Sequence, residues 1–528
     1  MKGKVQGLVA RLAAFAAALV LALGSVSPAF AAEAAPEVPT GSITVAGIDA
    51  NDAKTTTTTA YKIVDAVYTT DGQFAGYKWN DAVKAWVNAN FNQYNDITKF
   101  NDGAVNGDAA KAFYDQLAAA IKNGAANGGI DVTPAGTAQG NGKIDGLEVG
   151  NYLLITEGGV NIYAPAAGNV TLDNQGTAQA VTVNVKPQPV SLDKKVQEKK
   201  IVGAQYGDTV NFDLRAPVPS YPADATAKEF QIGDHAPQGI DIDNASIKVY
   251  GVAADGKETA LKADTDYVLT TDGAVDPSAA DPAKAEKLSF LVNFKYDQIK
   301  GYKSVHVDYN GVINHDAKIG PTGNVNEAKL YYSNDPYNHE HWNHVPSEGK
   351  VFSYGLKVNK VDGATNQAIT GAEFTIAVKP AEGQKATPIE VVKDGDGVYH
   401  VFDAKKDDAK NKTTTLAVGA ADAVKGQLTI NGLNEGTYQL TETKTPAGYN
   451  APTAPFEVTL KDADNNGVLD GKLDGGDDQG YVSLTVKNVQ GFQLPKTGGM
   501  GTAIFTAAGV VLVGGGAALL VRRRSNQR

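Results

Sequence analysis

The sequence predicts a mostly β chain of three tandem immunoglobulin-like β-sandwich domains, the first with a helical insertion. Short runs rich in Val, Thr, Ile and Tyr alternate with polar residues, and glycines and polar turns separate these runs. Such alternation is typical of sandwich strands, which bury one face and expose the other. Two amphipathic stretches, 79–91 and 109–122, predict helices inserted into the first domain.

A weak internal repeat sets the number of domains. The segment GLNEGTYQLTE at 432–442 echoes GLEVGNYLLIT at 146–156, and each is followed by a final alternating strand. Two sandwiches of related design are therefore expected, with a longer third one between them. The sequences KPQP and PSEG mark the two junctions as breaks in regular structure. The predicted domains span 40–187, 188–350 and 351–491.

The composition restricts the chemistry and the compartment of the chain. There is no cysteine, so no disulfide can crosslink the domains, and the only methionines are Met1 and Met500. The formal charge of −11 and the pI near 5.2 argue against a nucleic-acid partner and favour a soluble surface protein.

Both ends of the chain carry export signals. Residues 1–31 combine a basic start, an apolar run and an Ala-Phe-Ala cleavage site, which predicts a signal peptide. Residues 501–521 are apolar and long enough to span a bilayer, and the arginines in the tail 522–528 are expected to stay in the cytoplasm.

A pentapeptide motif precedes the predicted span. Its residues are Leu494, Pro495, Lys496, Thr497 and Gly498. The order of motif, apolar segment and basic tail resembles a Gram-positive sortase sorting signal. The resemblance implies that a sortase cysteine attacks the Thr497 carbonyl, releases Gly498 and passes Thr497 to an amine. The cell wall and surface of a Gram-positive bacterium are therefore the expected location.

The C-terminal domain resembles a collagen-adhesin B-type repeat over nearly its whole length. Residues 438–449 read YQLTETKTPAGY and match the YxLxETxxPxGY pattern of that family's E-box. In such domains a lysine and an asparagine fuse into an intramolecular isopeptide bond beside the E-box glutamate. The resemblance assigns these roles to Lys360, Asn488 and Glu442.

Strand periodicity supports this assignment independently. Lys360, Asn488 and Glu442 each share a strand face with apolar residues, so three polar groups point into one core. Burial favours their neutral forms, which makes the amine a nucleophile and lets a protonated carboxyl polarise the amide. The alternative is an ordinary buried salt bridge with a capping amide.

The middle domain resembles the collagen-adhesin A-type domain of pilin shafts, in which an aspartate replaces the glutamate. The resemblance and the strand phase assign a Lys194–Asn334 bond assisted by Asp234. Lys195 is the rival lysine, but it alternates out of phase with its apolar neighbours. The alternative is an exposed lysine and an asparagine that caps a turn.

The N-terminal domain is expected to lack such a bond. In register with the C-terminal repeat, Thr156 stands at the position of Glu442 and Gly47 near that of Lys360. Glu157 is one residue out of phase, which places it on the opposite, solvated face.

The other half of a sortase linkage is an acceptor amine. Shaft pilins resembling this chain place the acceptor lysine at the end of the first domain, in a YPK motif. Lys186 stands at that place, although Asn184 and Val185 replace the expected Tyr and Pro. An extended hinge before a proline keeps such an amine accessible. Lys194 and Lys195 are the alternatives.

The resemblance thus implies the major structural subunit of a covalent, sortase-assembled pilus that supports adhesion. Its expected partners are pilus-specific and housekeeping sortases, other copies of the chain, tip and basal pilins, and peptidoglycan. A monomeric wall-anchored adhesin for host matrix or glycans, or a minor or basal pilin, are the alternatives.

The sequence predicts no enzyme for external substrates, no cofactor and no metal site. The His-rich segment 339–344 is interpreted as a surface turn, and the Asp-rich segment 462–467 as a hairpin turn.

Overall fold

The computed structural model describes residues 38–101, 107–222, 225–335, 337, 342–470 and 480–491. Within them the chain is mostly β and forms sandwiches in series, as predicted. Among these residues no helix is both long and apolar enough to cross a membrane. The predicted signal peptide at 1–31, the motif at 494–498, the span at 501–521 and the tail at 522–528 lie outside the described part of the chain.

The N-terminal sandwich packs a sheet in the order β5-β1-β9 against a sheet in the order β3-β2-β6-β8, with β4 added to β2. Its strands are β1 Thr40–Ala46, β2 Thr57–Tyr68, β3 Phe74–Trp79, β4 Pro134–Gln139, β5 Lys143–Glu148, β6 Gly150–Glu157, β7 Ile162–Tyr163, β8 Ala166–Val170 and β9 Ala180–Asn184. A short strand, β10 Pro187–Gln188, pairs with β7. The helices are α1 Asp81–Asn90, α2 Ile97–Asn101 and α3 Gly107–Asn123.

The helical insertion explains why β6 is apolar on both faces. Tyr152 and Leu154 point into the core between the two sheets. Leu153 and Ile155 point the other way and pack with side chains of the helices, including Phe113. A strand covered on both faces reads as a continuous apolar run rather than an alternating one, which is how this segment appears in the sequence.

The middle sandwich has one sheet in the order β11-β13-β19-β15-β16 and a second in the order β12-β21-β20-β14-β18-β17. Its elements are β11 Asp193–Val196, β12 Ile201–Gly203, β13 Thr209–Pro217, β14 Phe230–His235, β15 Ile240–Val252, β16 Glu258–Ala260, β17 Tyr267–Thr270, β18 Phe290–Phe294, α4 Tyr296–Ile299, β19 Ser304–Ile313, β20 Asn324–Ser333 and β21 Trp342–Phe352. Residues of β20 alternate between buried and half-buried up to Leu330, so every second side chain enters the core.

The C-terminal sandwich has a sheet in the order β26-β24-β25-β28-β22-β31 and a sheet in the order β27-β23-β29-β30. Its strands are β22 Tyr354–Asp362, β23 Glu373–Val378, β24 Val391–Gly395, β25 Val398–Val401, β26 Lys412–Thr413, β27 Leu416–Ala417, β28 Gln427–Leu433, β29 Gly436–Lys444, β30 Phe456–Leu460 and β31 Tyr481–Asn488. The first strand, β22, pairs in parallel with the last, β31. In the N-terminal domain β1 and β9 pair in the same way.

The internal repeat forms the same corner in both outer domains. The Tyr152 hydroxyl donates to the Glu148 carbonyl at 2.7 Å, and the Tyr438 hydroxyl donates to the Asn434 carbonyl at 2.8 Å. Each tyrosine ring is buried, and each corner turns through a glycine with positive φ. The repeat therefore marks a shared turn that joins β5 to β6 and β28 to β29.

Neighbouring domains make polar contacts at both junctions. Between the first two, Lys122 pairs with Asp335 at 3.2 Å, and the Asn343 side-chain amide donates to the Gly159 carbonyl at 2.7 Å. Between the last two, the Tyr206 amide donates to the Gly432 carbonyl at 3.0 Å. A Cβ at Gly432 would lie 2.1 Å from the Tyr206 ring, so only glycine allows this approach.

Replacing Tyr152 by phenylalanine tests the corner, because it removes the hydrogen bond that the hydroxyl of the buried tyrosine donates to the Glu148 carbonyl. We expect the free energy of unfolding of the N-terminal domain to fall by about 1 kcal/mol. Urea unfolding monitored by tryptophan fluorescence is a suitable measurement, since Trp79 and Trp86 lie in this domain. Tyr77→Phe is the control, since that hydroxyl has no hydrogen-bond partner among the described residues. Equal effects of the two changes would contradict a role for the corner.

Candidate crosslinking sites and the surface anchor

The middle domain buries a lysine and an aspartate together. Lys194 on β11 and Asp234 on β14 come from facing sheets, and both side chains are fully buried. The Lys194 side-chain nitrogen, Nζ, donates a hydrogen bond to Asp234 Oδ2. Phe212 and Tyr309 form the apolar wall of this site, with ring centres 5.2 and 5.7 Å from Lys194 Nζ. A charged pair at such a place is costly unless its members satisfy each other.

Burial changes the protonation of Lys194. Desolvation lowers the pKa of its amine to about 8, although the neighbouring Asp234 carboxyl acts in the opposite direction. The neutral amine, which is the nucleophilic form, is therefore much more populated near neutral pH than for an exposed lysine.

Asn326 completes this site. Its side-chain amide nitrogen donates to the Tyr309 hydroxyl at 3.0 Å, and that hydroxyl donates to Asp234 Oδ2 at 2.6 Å. Asn326 is fully buried on β20, two residues before Ala328, the register partner of Asp234. Asn326 Oδ1 and Asp234 Oδ1 are both buried, and neither has a hydrogen-bond partner among the described residues.

The structure corrects the predicted Asn334. This residue follows the end of β20, six residues beyond Ala328, which corresponds to about 20 Å along an extended strand. It is half-buried and lines a cavity at the junction with the N-terminal domain, together with Lys122. Asn334 therefore lies away from Lys194 and Asp234, whereas Asn326 on β20 lies beside them.

The C-terminal domain brings its predicted trio together. Lys360 on β22 and Asn488 on β31 come from adjacent parallel strands and are buried, with register partners Lys360 to Val486 and Asp362 to Asn488. Glu442 reaches them from β29 in the facing sheet, and the Asn488 amide nitrogen donates to Glu442 Oε1 at 2.7 Å. The Lys360 amine donates to the Val486 carbonyl at 3.4 Å.

The electrostatics of this second site parallel those of the first. Burial lowers the pKa of Lys360, while the charges of Glu442 and Asp362 act to raise it. Glu442 Oε2 and Asn488 Oδ1 are buried without a hydrogen-bond partner among the described residues. Each site thus contains one carboxyl oxygen and one amide oxygen that lack a donor, and a proton on the carboxyl would supply one.

The N-terminal domain has different residues at the equivalent places. Thr156 is buried and shares a 2.8 Å hydrogen bond with Thr58 instead of reaching a lysine. A Cβ at Gly47 would lie 2.4 Å from the Val185 carbonyl oxygen, so the backbone leaves no room there for a lysine side chain. Glu157 lies at the surface, where it pairs with Lys122 at 2.9 Å.

The proposed acceptor lysine is exposed at a junction. Lys186 lies between β9 and β10, immediately after the buried Val185 and before Pro187. Of the alternatives, Lys194 is buried, whereas Lys195 is partly exposed on the outer face of β11. The first half of the His-rich segment, 339–341, lies outside the described residues, and its His344 is exposed on β21.

Known proteins resemble this chain in their domains, in their overall sequence and in their fold. Residues 355–472 match SpaA, described as a prealbumin-like fold domain, and residues 486–527 match the LPXTG cell wall anchor motif. The trypsin-resistant surface T6 protein of Streptococcus pyogenes serotype M6 is 23% identical, with 89% of this chain and 93% of that protein covered. The fimbrial subunit type 1 of Actinomyces viscosus is 26% identical, with 80% and 82% covered. The solved T6 backbone pilin, described as a modular three-domain structure, is 17% identical with a TM-score of 0.55. The matched region covers 86% of this chain and 99% of that one.

The anchor motif and the SpaA domain support a surface protein attached to the cell wall of a Gram-positive bacterium. Within that class, the similarity to a surface T6 protein and to a fimbrial subunit agrees with the pilus subunit expected from the sequence. The predicted class, mostly β fold and location are thereby confirmed.

A pH titration tests the protonation of Lys194. In an Asn326→Ala variant the lysine keeps a free amine, with a pKa near 8 in the folded state and its ordinary value when unfolded. Between these two values the unfolded state binds more protons, so the free energy of unfolding should rise with pH from about 8 to about 10.5. Chemical denaturation at several pH values measures this slope. The double variant Lys194→Met with Asn326→Ala should lose the slope; an unchanged slope would contradict the assignment.

Proposed function

We propose that this chain is the shaft subunit of a covalent pilus and contains two self-formed Lys–Asn isopeptide bonds. The bonds are Lys194–Asn326, assisted by Asp234, and Lys360–Asn488, assisted by Glu442. The observation that carries the proposal is the shared arrangement of a buried amine, a carboxyl and a carboxamide whose two oxygens lack donors. The proposed domains are those expected from the sequence, 40–187, 188–350 and 351–491.

The reaction at each site needs no other reactant. The neutral lysine amine attacks the side-chain carbonyl carbon of the asparagine while the protonated carboxyl donates a hydrogen bond to the amide oxygen. The tetrahedral intermediate collapses with loss of the asparagine nitrogen, which takes up the proton released by the amine and leaves as ammonia. The products are a new amide bond and a carboxyl group in its original state. The chain therefore acts on itself, and we propose no activity on an external substrate.

The two bonds would reinforce the domains in different ways. Lys194 and Asn326 belong to facing sheets of the middle domain, so their bond would tie one sheet to the other. Lys360 and Asn488 belong to the first and last strands of the C-terminal domain, so their bond would tie the two ends of that domain together. A covalent tie also restricts the unfolded chain, as a disulfide does, and this chain contains no cysteine.

The joint between subunits is proposed to link Thr497 of one copy to Lys186 of the next. The exposure of Lys186 at a domain junction supports its use as the acceptor amine. A pilus-specific sortase would form these joints, and a housekeeping sortase would transfer the finished polymer to peptidoglycan. Tip and basal pilins, and host matrix or glycans as ligands of the polymer, complete the proposed partners.

Intact-mass measurement tests the two intramolecular bonds. A fragment spanning 32–493 should be lighter than its sequence mass by two molecules of ammonia. Asn326→Ala and Asn488→Ala should each remove one of these deficits, because each deletes the carbonyl that the lysine attacks. Asn334→Ala is the matched control, since it removes the asparagine just beyond the end of the same strand and should keep both deficits. An undiminished mass for the parent fragment would refute the crosslinks, and a loss caused by Asn334→Ala would restore the original assignment.

Replacing Lys186 by alanine in the native cell tests the joint. We expect the detergent-resistant ladder of high-mass polymers on a denaturing gel to disappear, because the acceptor amine is gone. Lys195→Ala is the control, since it removes a nearby, partly exposed amine and should leave the ladder intact. A ladder that survives Lys186→Ala would mean that another lysine is used. A parent cell without any ladder would favour a wall-anchored adhesin.

A further inference from the structure

Two histidines and an aspartate meet where the middle and C-terminal domains touch. His315 follows β19 of the middle domain, His400 lies on β25 of the C-terminal domain, and Asp407 lies in the turn after β25. His315 Nδ1 is 3.0 Å from Asp407 Oδ1, and His400 Nε2 is 3.1 Å from Asp407 Oδ2. One atom from each residue can be chosen so that all three lie within 4.8 Å of one another.

We propose that these three residues bind a zinc-class divalent metal ion that bridges the two domains. Two imidazoles and a carboxylate are a ligand set that zinc accepts, and the fourth position would hold water. With bonds of about 2.0 Å, tetrahedral ligands lie about 3.3 Å apart, so the three atoms, now within 4.8 Å of one another, would move closer together on coordination. The proposal is independent of the isopeptide bonds and goes beyond pilus assembly.

The surroundings of His400 favour a cation at this position. Its Nδ1 lies 2.6 Å from Asp394 Oδ1, while its Nε2 faces Asp407. A neutral imidazole has one N–H, so it can donate to only one of the two carboxylates. Donation to Asp394 directs the Nε2 lone pair at Asp407, and either a proton or a metal cation at Nε2 removes that contact between two acceptors. A carboxylate that fixes a ligating histidine in this way is a common feature of zinc sites.

The charge balance distinguishes this cluster from a similar one. Within the described residues, the ion-pair partners of Asp394 and Asp407 are histidines, not lysine or arginine. Asp213, His306 and Asp308 form a second cluster in the middle domain. There Arg215 pairs with Asp213 at 3.1 Å, so a positive charge is already present. The first cluster is therefore the one with an uncompensated preference for a cation.

The site also has access and a rigid frame. His315, His400, Asp394 and Asp407 line a cleft together with Tyr206 and Asn431. Tyr206 belongs to the middle domain, and its amide donates to the Gly432 carbonyl of the C-terminal domain beside the cleft. The Asp407 carboxylate is held by the Asp403 amide at 2.8 Å. An ion in this cleft would join His315 of the middle domain to His400 and Asp407 of the C-terminal domain, which follow it by 85 and 92 residues in the sequence.

Calorimetric titration of the 32–493 fragment with zinc chloride alone, at pH 7.5 after treatment with a chelator, tests the proposal. We expect one saturable equivalent of zinc. His400→Gln and His315→Gln should each abolish it, and Asp394→Asn should weaken the affinity about 10- to 100-fold by releasing His400. Circular dichroism of each variant establishes that it is folded.

His344→Gln is the matched control, because it removes an exposed histidine of the separate His-rich segment and should leave the titration unchanged. Absence of stoichiometric binding by the parent fragment would overturn the proposal, since the cluster would then be only a hydrogen-bonded contact. Parent-like affinity in His315→Gln would overturn the bridge between domains. Loss of binding in His344→Gln would assign the zinc to the His-rich segment instead.

Discussion

The structure depends on the need to place two lysine amines inside apolar sandwich cores without leaving them unsatisfied. Lys194 and Lys360 both have side chains closed to solvent, and each has a carboxyl group nearby from the facing sheet. A buried ammonium would be very unfavourable alone, and its pairing with a buried carboxylate offsets that cost only in part. The remaining polar groups, above all Asn326 and Asn488, must therefore lie where they do. Strands β11, β14, β20, β22, β29 and β31 all point these groups into the cores, on the faces that also bury their apolar residues.

The same requirement explains why the N-terminal domain differs although it shares the design. Its corner and its pairing of first and last strands match those of the C-terminal domain. Its core, however, contains the neutral Thr58–Thr156 pair, which needs no partner beyond itself. In place of a crosslink, this domain gains a second apolar core beneath its helices. Among the described residues its buried polar groups, which include the hydrogen-bonded Asp52, thus contain no lysine, and the packing of its helices adds apolar contacts that the sandwich alone would lack.

Much of the fold and part of the candidate site could be predicted from the sequence. Alternation, the internal repeat and the amphipathic stretches predicted the sandwiches and the helical insertion, because these patterns depend on local burial. Lys360, Glu442 and Asn488 could be predicted because a contiguous motif fixed the phase and position of one strand. Asn326 was missed because strand phase is identical every second residue, and only the pairing of Asp234 with Ala328 tells how far along β20 the site lies. The His315–His400 contact was out of reach for a related reason: it depends on how two domains pack, which no local pattern encodes.

The parallel pairing of β22 with β31 determines how the C-terminal domain responds when its two ends are pulled. Parallel strands run in the same direction, so the chain enters β22 at one pole of the sandwich and leaves β31 at the opposite pole. Traction on the two ends then slides the strands past each other along eight paired residues, from Gly355 and Tyr481 to Asp362 and Asn488. The hydrogen bonds between them are loaded in shear at the same time and do not break one after another. Strand direction alone thus makes the domain resistant to shear before any covalent bond is considered.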